Sequence, residues 1–216
     1  MAFHFSDCSR TSLFGTKGYN VTVRVFVAIR LSPQSIKPLV QAQEKIELAA
    51  PGVYGWSKLD SIHLTLYFLG EMDEPGVEKV REGLRDVQTE PMKLGWGGLV
   101  VLPSPEVPKI LAAGVVGGGT ALKAMQRKVH DVVFPYAENK ETRAYFPHAT
   151  IGRLKRGIPP SAKIVKRALS DFRLKDGKVE AVSKFELIHS ELGAGPANYV
   201  VIEEYPVAIA APEPIE

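Results

Sequence analysis

Two short apolar runs constrain this chain more than anything else in it, because both read as strands and both carry the same pair of polar side chains. They are Ile62-His63-Leu64-Thr65-Leu66-Tyr67-Phe68-Leu69 and Pro147-His148-Ala149-Thr150-Ile151-Gly152-Arg153. A strand sends residues i and i+2 to one face, so each run presents an imidazole beside a hydroxyl, roughly 7 Å apart. One His-x-Thr would mean little. Two arise by chance roughly one or two times in a hundred before their context is considered. Facing each other, the pairs would supply an acid, a base and two hydroxyl donors around one small anion, which is equipment for phosphoryl chemistry.

The rest of the pattern gives each run a similar setting. Val21 to Ile29 is β-branched and reads as a strand, and Ser32-Pro33 starts a helix that runs to about Leu48 and stops at Ala50-Pro51-Gly52. A short aromatic stretch, Val53 to Ser57, precedes the first motif strand, which Gly70 is expected to close. A helix over about 74–87 follows. Strands are expected over 93–102, interrupted by Gly95, Gly97 and Gly98, and over 108–116, with a helix from Thr120 to about Val133. Beyond the second motif come a helix over about 161–169 and strands over 182–191 and 199–207. The last two are joined by Gly193-Ala194-Gly195-Pro196 as a hairpin. Interleaved strands and helices mean an α/β or α+β fold. The shared rhythm suggests an internal pseudo-repeat, one motif per lobe, with a cleft where the motifs meet.

Residues 1–22 read as a loose polar tail, 23–208 as one bilobal domain and 209–216 as a frayed end. Charge excludes little: 27 Lys plus Arg against 24 Asp plus Glu is mildly basic, so any recognition of nucleic acid must rest on local groups. The single cysteine, Cys8, allows neither an internal disulfide nor a Cys-rich zinc site, and suits a reducing cytosol. No stretch approaches the roughly 20 apolar residues of a membrane span, and no apolar run near the start reads as a secretory signal. His4, His130 and His189 read as tail, helix surface and structural strand position, with no carboxylate spacing around them for a metal.

The two motifs, with Arg24-Val25-Phe26-Val27-Ala28-Ile29, Phe68-Leu69-Gly70-Glu71, Leu102-Pro103-Ser104-Pro105, Ile110-Leu111-Ala112-Ala113-Gly114-Val115 and Ser190-Glu191-Leu192-Gly193, resemble the two-histidine (2H) phosphoesterase superfamily. Within it they resemble the RNA 2′,3′-cyclic phosphodiesterases, historically called 2′-5′ RNA ligases. The resemblance covers about residues 24–207. It implies an α+β, bilobal 2H phosphoesterase-like fold, with two pseudo-symmetric sheet-plus-helix lobes around a central cleft. No metal or other cofactor is implied. The chain departs from the family in carrying residues ahead of Arg24, which raises the expectation that the native start is Val23. It departs also at Ala149, where bulkier residues are common.

For the site, the resemblance implies His63, Thr65, His148 and Thr150 as the catalytic set. The threonines would donate to non-bridging oxygens, with His63 the acid toward the leaving 3′ oxygen and His148 the base toward water. The residues alone leave that polarity open. Arg153 is a substrate-binding candidate, but it lies five positions after His148 and so faces away from the site unless Gly152 marks a bulge or the strand's end. Phe146 and Trp56 are the better candidates for stacking a base, ahead of Tyr54 and Tyr67. The expected partner is RNA with a 2′,3′-cyclic phosphate terminus, tRNA fragments included, met by a cytoplasmic monomer. Open alternatives are a phosphodiesterase for 2′-5′ oligonucleotides or small cyclic nucleotides, and a non-catalytic RNA-end binding module.

Overall fold

Buried side chains dominate Val23–Arg30, the first strand, β1. The chain then turns into a helix, α1 (Pro33–Ala49), capped by the Ser32 hydroxyl, which accepts the Ser35 backbone N–H. The computed structural model describes residues 22–138, 140–159, 179–191 and 197–210. The tail over 1–22 (Thr22 aside), the helix near 161–169, the Gly193–Pro196 turn and the last residues of the C-terminal tail therefore lie outside the described residues. After α1 come β2 (Tyr54–Trp56), β3 (His63–Met72), α2 (Glu74–Arg85), β4 (Lys93–Ser104) and β5 (Val107–Val116). Then follow α3 (Gly119–Val133), β6 (His148–Leu154), β7 (Glu180–Ala181), β8 (Lys184–Glu191) and β9 (Asn198–Pro206).

Two strands run further than their glycines suggest. Gly70 does not close β3 but sits inside it at φ 90°, where a Cβ would come within 2.8 Å of the Glu138 Cβ. In β4, Gly95, Gly97 and Gly98 do not break the strand. The ladder with β5 absorbs them by a register shift between Trp96 and Gly98, and pairing continues to Ser104.

The strands pair antiparallel in the order β7-β4-β5-β6-β3-β1-β8-β9, with β2 alongside β6. The join in the middle is slight. β3 and β6 share one pairing, Leu64 with Ala149, after which β6 gives the same edge to β2. The sheet thus divides into two lobes at the two motifs.

The three α-helices of the described residues bury their apolar stripes on one face of the sheet. α2 and α3 pack beneath β1, β3, β8 and β9 through Val80, Leu122 and Val129 against Val27, Leu66, Leu69 and Phe185. α1 packs beneath β2, β5 and β6 through Ile36, Leu39 and Ile46 against Tyr54, Leu111 and Ile151. This corrects the simplest reading of the repeat, in which each half of the chain builds its own lobe. α1, from the first half, covers the lobe of the second motif, while α3 covers the lobe of the first, and β8–β9 return beside β1. Neither half can bury its sheet alone, so one core closes only when both are present.

Candidate active site

The register between β3 and β6 sets the site. With Leu64 opposite Ala149 in an antiparallel pair, His63 falls beside Thr150 and Thr65 beside His148. Leu64 and Ala149 are fully buried toward the helices, so the four polar side chains share the opposite face, which no helix of the described residues covers. Each histidine is therefore flanked by the other motif's threonine, in a crossed, two-fold-like arrangement. Small neighbours leave it uncovered: Ala28 of β1 lies opposite Thr65, while Ala112 and Gly114 of β5 lie opposite Thr150 and His148.

Both strands then bulge at the same place, one residue after the threonine. In the β1–β3 ladder Ala28 pairs with Thr65 and Val27 with Tyr67, which leaves Leu66 unpaired. In the β5–β6 ladder Ala112 pairs with Thr150 and Leu111 with Gly152, which leaves Ile151 unpaired. A bulge reverses the alternation beyond it, and this brings the fifth residue after each histidine back to the site face: Phe68 on β3 and Arg153 on β6. The condition that Gly152 set for Arg153 is thus met. Each bulge carbonyl is held by a glutamine from the helix below. Gln43 Nε2 of α1 donates to Ile151 O at 2.8 Å and to Ser57 O at 2.9 Å, and Gln126 Nε2 of α3 donates to Leu66 O at 3.4 Å.

The rings are held alike as well. His63 Nδ1 lies 2.8 Å from Ser61 O, and His148 Nδ1 lies 2.8 Å from Phe146 O. A carbonyl only accepts, so Nδ1 carries a hydrogen in both rings and Nε2 is the position that gains or loses a proton. Tyr145 ties the approach to the second motif onto the first, its hydroxyl donating to Thr65 O at 3.1 Å, and burial pushes that phenol's pKa up.

Burial sets the charge of His63. His63 is pushed from the ordinary 6.5 down to about 4, chiefly by burial, while the Ser61 carbonyl opposes the fall and Arg30, Arg153 and His148 add to it. Its ring lies 4.9 Å from that of Phe26 and meets Tyr199 edge-on at 5.3 Å. In the unliganded site at neutral pH, His63 is an uncharged imidazole.

Of the base-stacking candidates, Phe146 is at the site, half exposed, its ring nearly parallel to His148 at 5.9 Å. Trp56 is not. It packs over Gly152 and beside Tyr54 with the α1-side core, and its indole N–H donates to Glu47 on α1 at 2.8 Å. The reason is parity: Trp56 pairs with Gly152, the residue before Arg153, and so faces the helices. Tyr54 and Tyr67 are core residues too. His189 pairs with Val25 and so shares the helix-side parity of that residue, and His130 stacks on Phe134 in α3's last turn region at 4.7 Å. Sequence reasoning passed over Arg30, Phe68 and Tyr199, all on the site face. Arg30 pairs directly with His63, and Phe68 is 55% exposed. Among the described residues no group of three His, Cys, Asp or Glu is gathered to hold a metal, and no helix is long and apolar enough to cross a membrane.

Known proteins share this fold and sequence. The family described as LigT like Phosphoesterase matches residues 29–112. An RNA 2′,3′-cyclic phosphodiesterase of Archaeoglobus fulgidus is 30% identical over 169 residues, covering 71% of this chain and 90% of that protein. One from Aquifex aeolicus is 26% identical over 190 residues, covering 85% and 96%. Among solved structures, E. coli LigT without ligand superposes with a TM-score of 0.66 at 18% identity, covering 86% of this chain and 98% of that one. A Thermus thermophilus protein gives 0.66 at 23% identity, covering 85% and 97%.

Proposed function

The chain belongs to the LigT-like family of the 2H phosphoesterase superfamily and is a phosphoesterase; from that premise we propose that it hydrolyses RNA 2′,3′-cyclic phosphate ends to 2′-phosphates, using the two His-x-Thr pairs and no metal. The observation that carries the proposal is the crossed register of His63–Thr150 and Thr65–His148 on one open face.

A cyclic phosphate seated over that face meets a hydroxyl and an imidazole from either side. Water attacks phosphorus on the side of His148, whose Nε2 takes the proton. The P–O3′ bond breaks, and His63 Nε2 gives a proton to the departing O3′. The product is a 2′-phosphate with a free 3′-hydroxyl, and each histidine leaves in the other's protonation state. Thr65 and Thr150 donate to the non-bridging oxygens and Arg153 balances their charge, which is where fixed donors lower a barrier most. Both proton transfers and the charge balance come from side chains, so no step calls for a metal. With a 5′-hydroxyl in the place of water, the same motions join the cyclic end to that hydroxyl in a 2′-5′ linkage, O3′ again leaving with the proton from His63.

The acid role requires His63 to be charged, which its burial disfavours. A bound phosphate supplies the remedy: its negative charge by the ring favours the imidazolium, against the burial that chiefly depresses His63 and the smaller repulsion from Arg30 and Arg153. We further propose a cytoplasmic monomer that acts on RNA fragments, tRNA fragments among them.

The test is an oligoribonucleotide with a 2′,3′-cyclic end, incubated with the purified chain in EDTA. The reading expects a 2′-phosphate product, identified by its resistance to enzymes specific for 3′-phosphates. An unopened end, or a 3′-phosphate, refutes it.

A further inference from the structure

The site face is not electrically even. Rings line both ends, but Phe26 and Tyr199 are packed on the His63 ring, whereas toward the His148 end Phe146, stacked on His148, and Phe68, past the Leu66 bulge, are exposed. Arginines gather at the His63 end, where Arg153 emerges from β6 and Arg30 lies opposite His63 on β1. Arg153 belongs to the reaction described above. Arg30 does not, because it lies one strand further out, roughly 5 Å beyond His63 on the side away from β6.

A buried acid holds Arg30 there. Glu186 of β8 pairs with Ala28, so it shares the site face, and it is 1% exposed. Burying a carboxylate is destabilising unless cations attend it. Here Arg30 Nε lies 2.7 Å from Glu186 Oε2, and Lys184 Nζ lies 3.2 Å from Glu186 Oε1. Lys184 is itself claimed by Glu204. Glu186 Oε2 has no aligned hydrogen bond, so Arg30 is held by charge, with Nε its nearest atom to the acid. Its side chain is one-third exposed, with the Nη fork beyond the Nε that meets Glu186. An arginine fixed at Nε by a buried acid, with its Nη fork open on a face built for phosphoesters, is a second anion site.

We infer that Arg30, anchored by Glu186, binds the phosphodiester on the 5′ side of the reacting phosphate, so that the site takes the end of an RNA strand in preference to a free mononucleotide. The inference rests on the proposed function and adds a direction to it. The terminal base lies toward Phe146, and the backbone leaves across His63 toward β1.

The test separates binding from turnover. Dissociation constants for adenosine 2′-phosphate and for its dinucleotide extended on the 5′ side, ApA ending in a 2′-phosphate, are measured by calorimetry. The chains compared are the natural one, Arg30→Lys, and the double variant Arg30→Gln with Glu186→Gln. The double variant removes both charges and leaves no buried acid unpaired, so it keeps the fold where Arg30→Gln alone would not. In the natural chain the dinucleotide should bind about tenfold more tightly, as one charge-assisted contact allows. The double variant should lose most of that ratio, with Arg30→Lys between them, and its salt dependence for the dinucleotide should ease by about 0.7 in the log–log slope, one single-strand phosphate contact. An unchanged ratio overturns the inference, as does equal weakening of both ligands, which would put Arg30 on the reacting phosphate. Turnover of a cyclic-ended oligonucleotide in the same preparation reports separately on the proposed function, because the binding ratio is defined whether or not the end opens.

Discussion

Replacing His63 with asparagine removes a titrating ring but keeps an amide N–H where Nδ1 meets the Ser61 carbonyl. That makes His63→Asn the reference for a stability measurement. The unfolded chain protonates this ring near 6.5 and the folded chain only near 4. Between those values the unfolded state holds the extra proton, so the stability His63 contributes is complete above about pH 6.5 and is lost as pH falls toward 4. At 1.36 kcal/mol per pKa unit, the loss is about 2 kcal/mol by pH 5 and about 3 kcal/mol by pH 4. Both proteins are unfolded in urea at about pH 7, 6, 5 and 4, a range that spans the two pKa values, followed by the fluorescence of Trp56 and Trp96. Other titrating groups are common to both chains and cancel in the difference. The natural chain should lose stability relative to His63→Asn by these amounts as the pH drops. A difference that stays level within about 0.5 kcal/mol over that range would mean that the ring is not desolvated by Phe26 and Tyr199, and the charge argument for the site would fall.

Inorganic phosphate should raise the His63 pKa toward its ordinary value, read from imidazole carbon shifts by NMR titration with and without the anion. An unmoved pKa would deny His63 the acid role. Gln43→Leu leaves Ser57 O without its donor and takes one of two from Ile151 O, so it should cost about 1–3 kcal/mol in urea unfolding. It should also weaken phosphate binding as Arg153→Ala does, because the bulge that aims Arg153 loses its support; full phosphate affinity would refute the link. Gly152→Ala would drive a Cβ to 2.8 Å from Trp56 Cε3 and Cζ3 and should destabilise by about 1–3 kcal/mol. Trimming the opposing ring, Trp56→Leu in the same chain, should return part of that loss.

Period and composition made the motif strands legible, because His63, Thr65, His148 and Thr150 each stand in apolar runs that can only alternate. The helices were legible from Ser32-Pro33 and from the apolar spacing of α3. The crossing of the motifs was not, since a register of Leu64 against Ala149 joins residues 85 apart (149 − 64) and leaves no local trace. The bulges were half legible. Gly152 flagged the one in β6, and so the turn of Arg153 toward the site, whereas Leu66 looks like any other core residue of a strand and gives no sign that Phe68 turns to the site face. Trp56 went astray for the same reason: its side of the sheet follows from its partner in β6, not from its neighbours in sequence. Arg30 at a strand's end carries no signal until Glu186, 156 positions on (186 − 30), is seen beside it.

The central claim is that two histidines, each beside the other's threonine, divide the proton transfers of one reaction. The direct measurement is the rate at which a 2′,3′-cyclic phosphate end is opened in EDTA by the natural chain, His63→Ala, His148→Ala and the double variant, with urea unfolding to show that each is folded. The account predicts that each single variant loses about 10²–10⁴-fold in kcat and that the double variant loses little more than the worse single, because acid and base serve the same step. A folded single variant that keeps a tenth or more of the natural rate would contradict it.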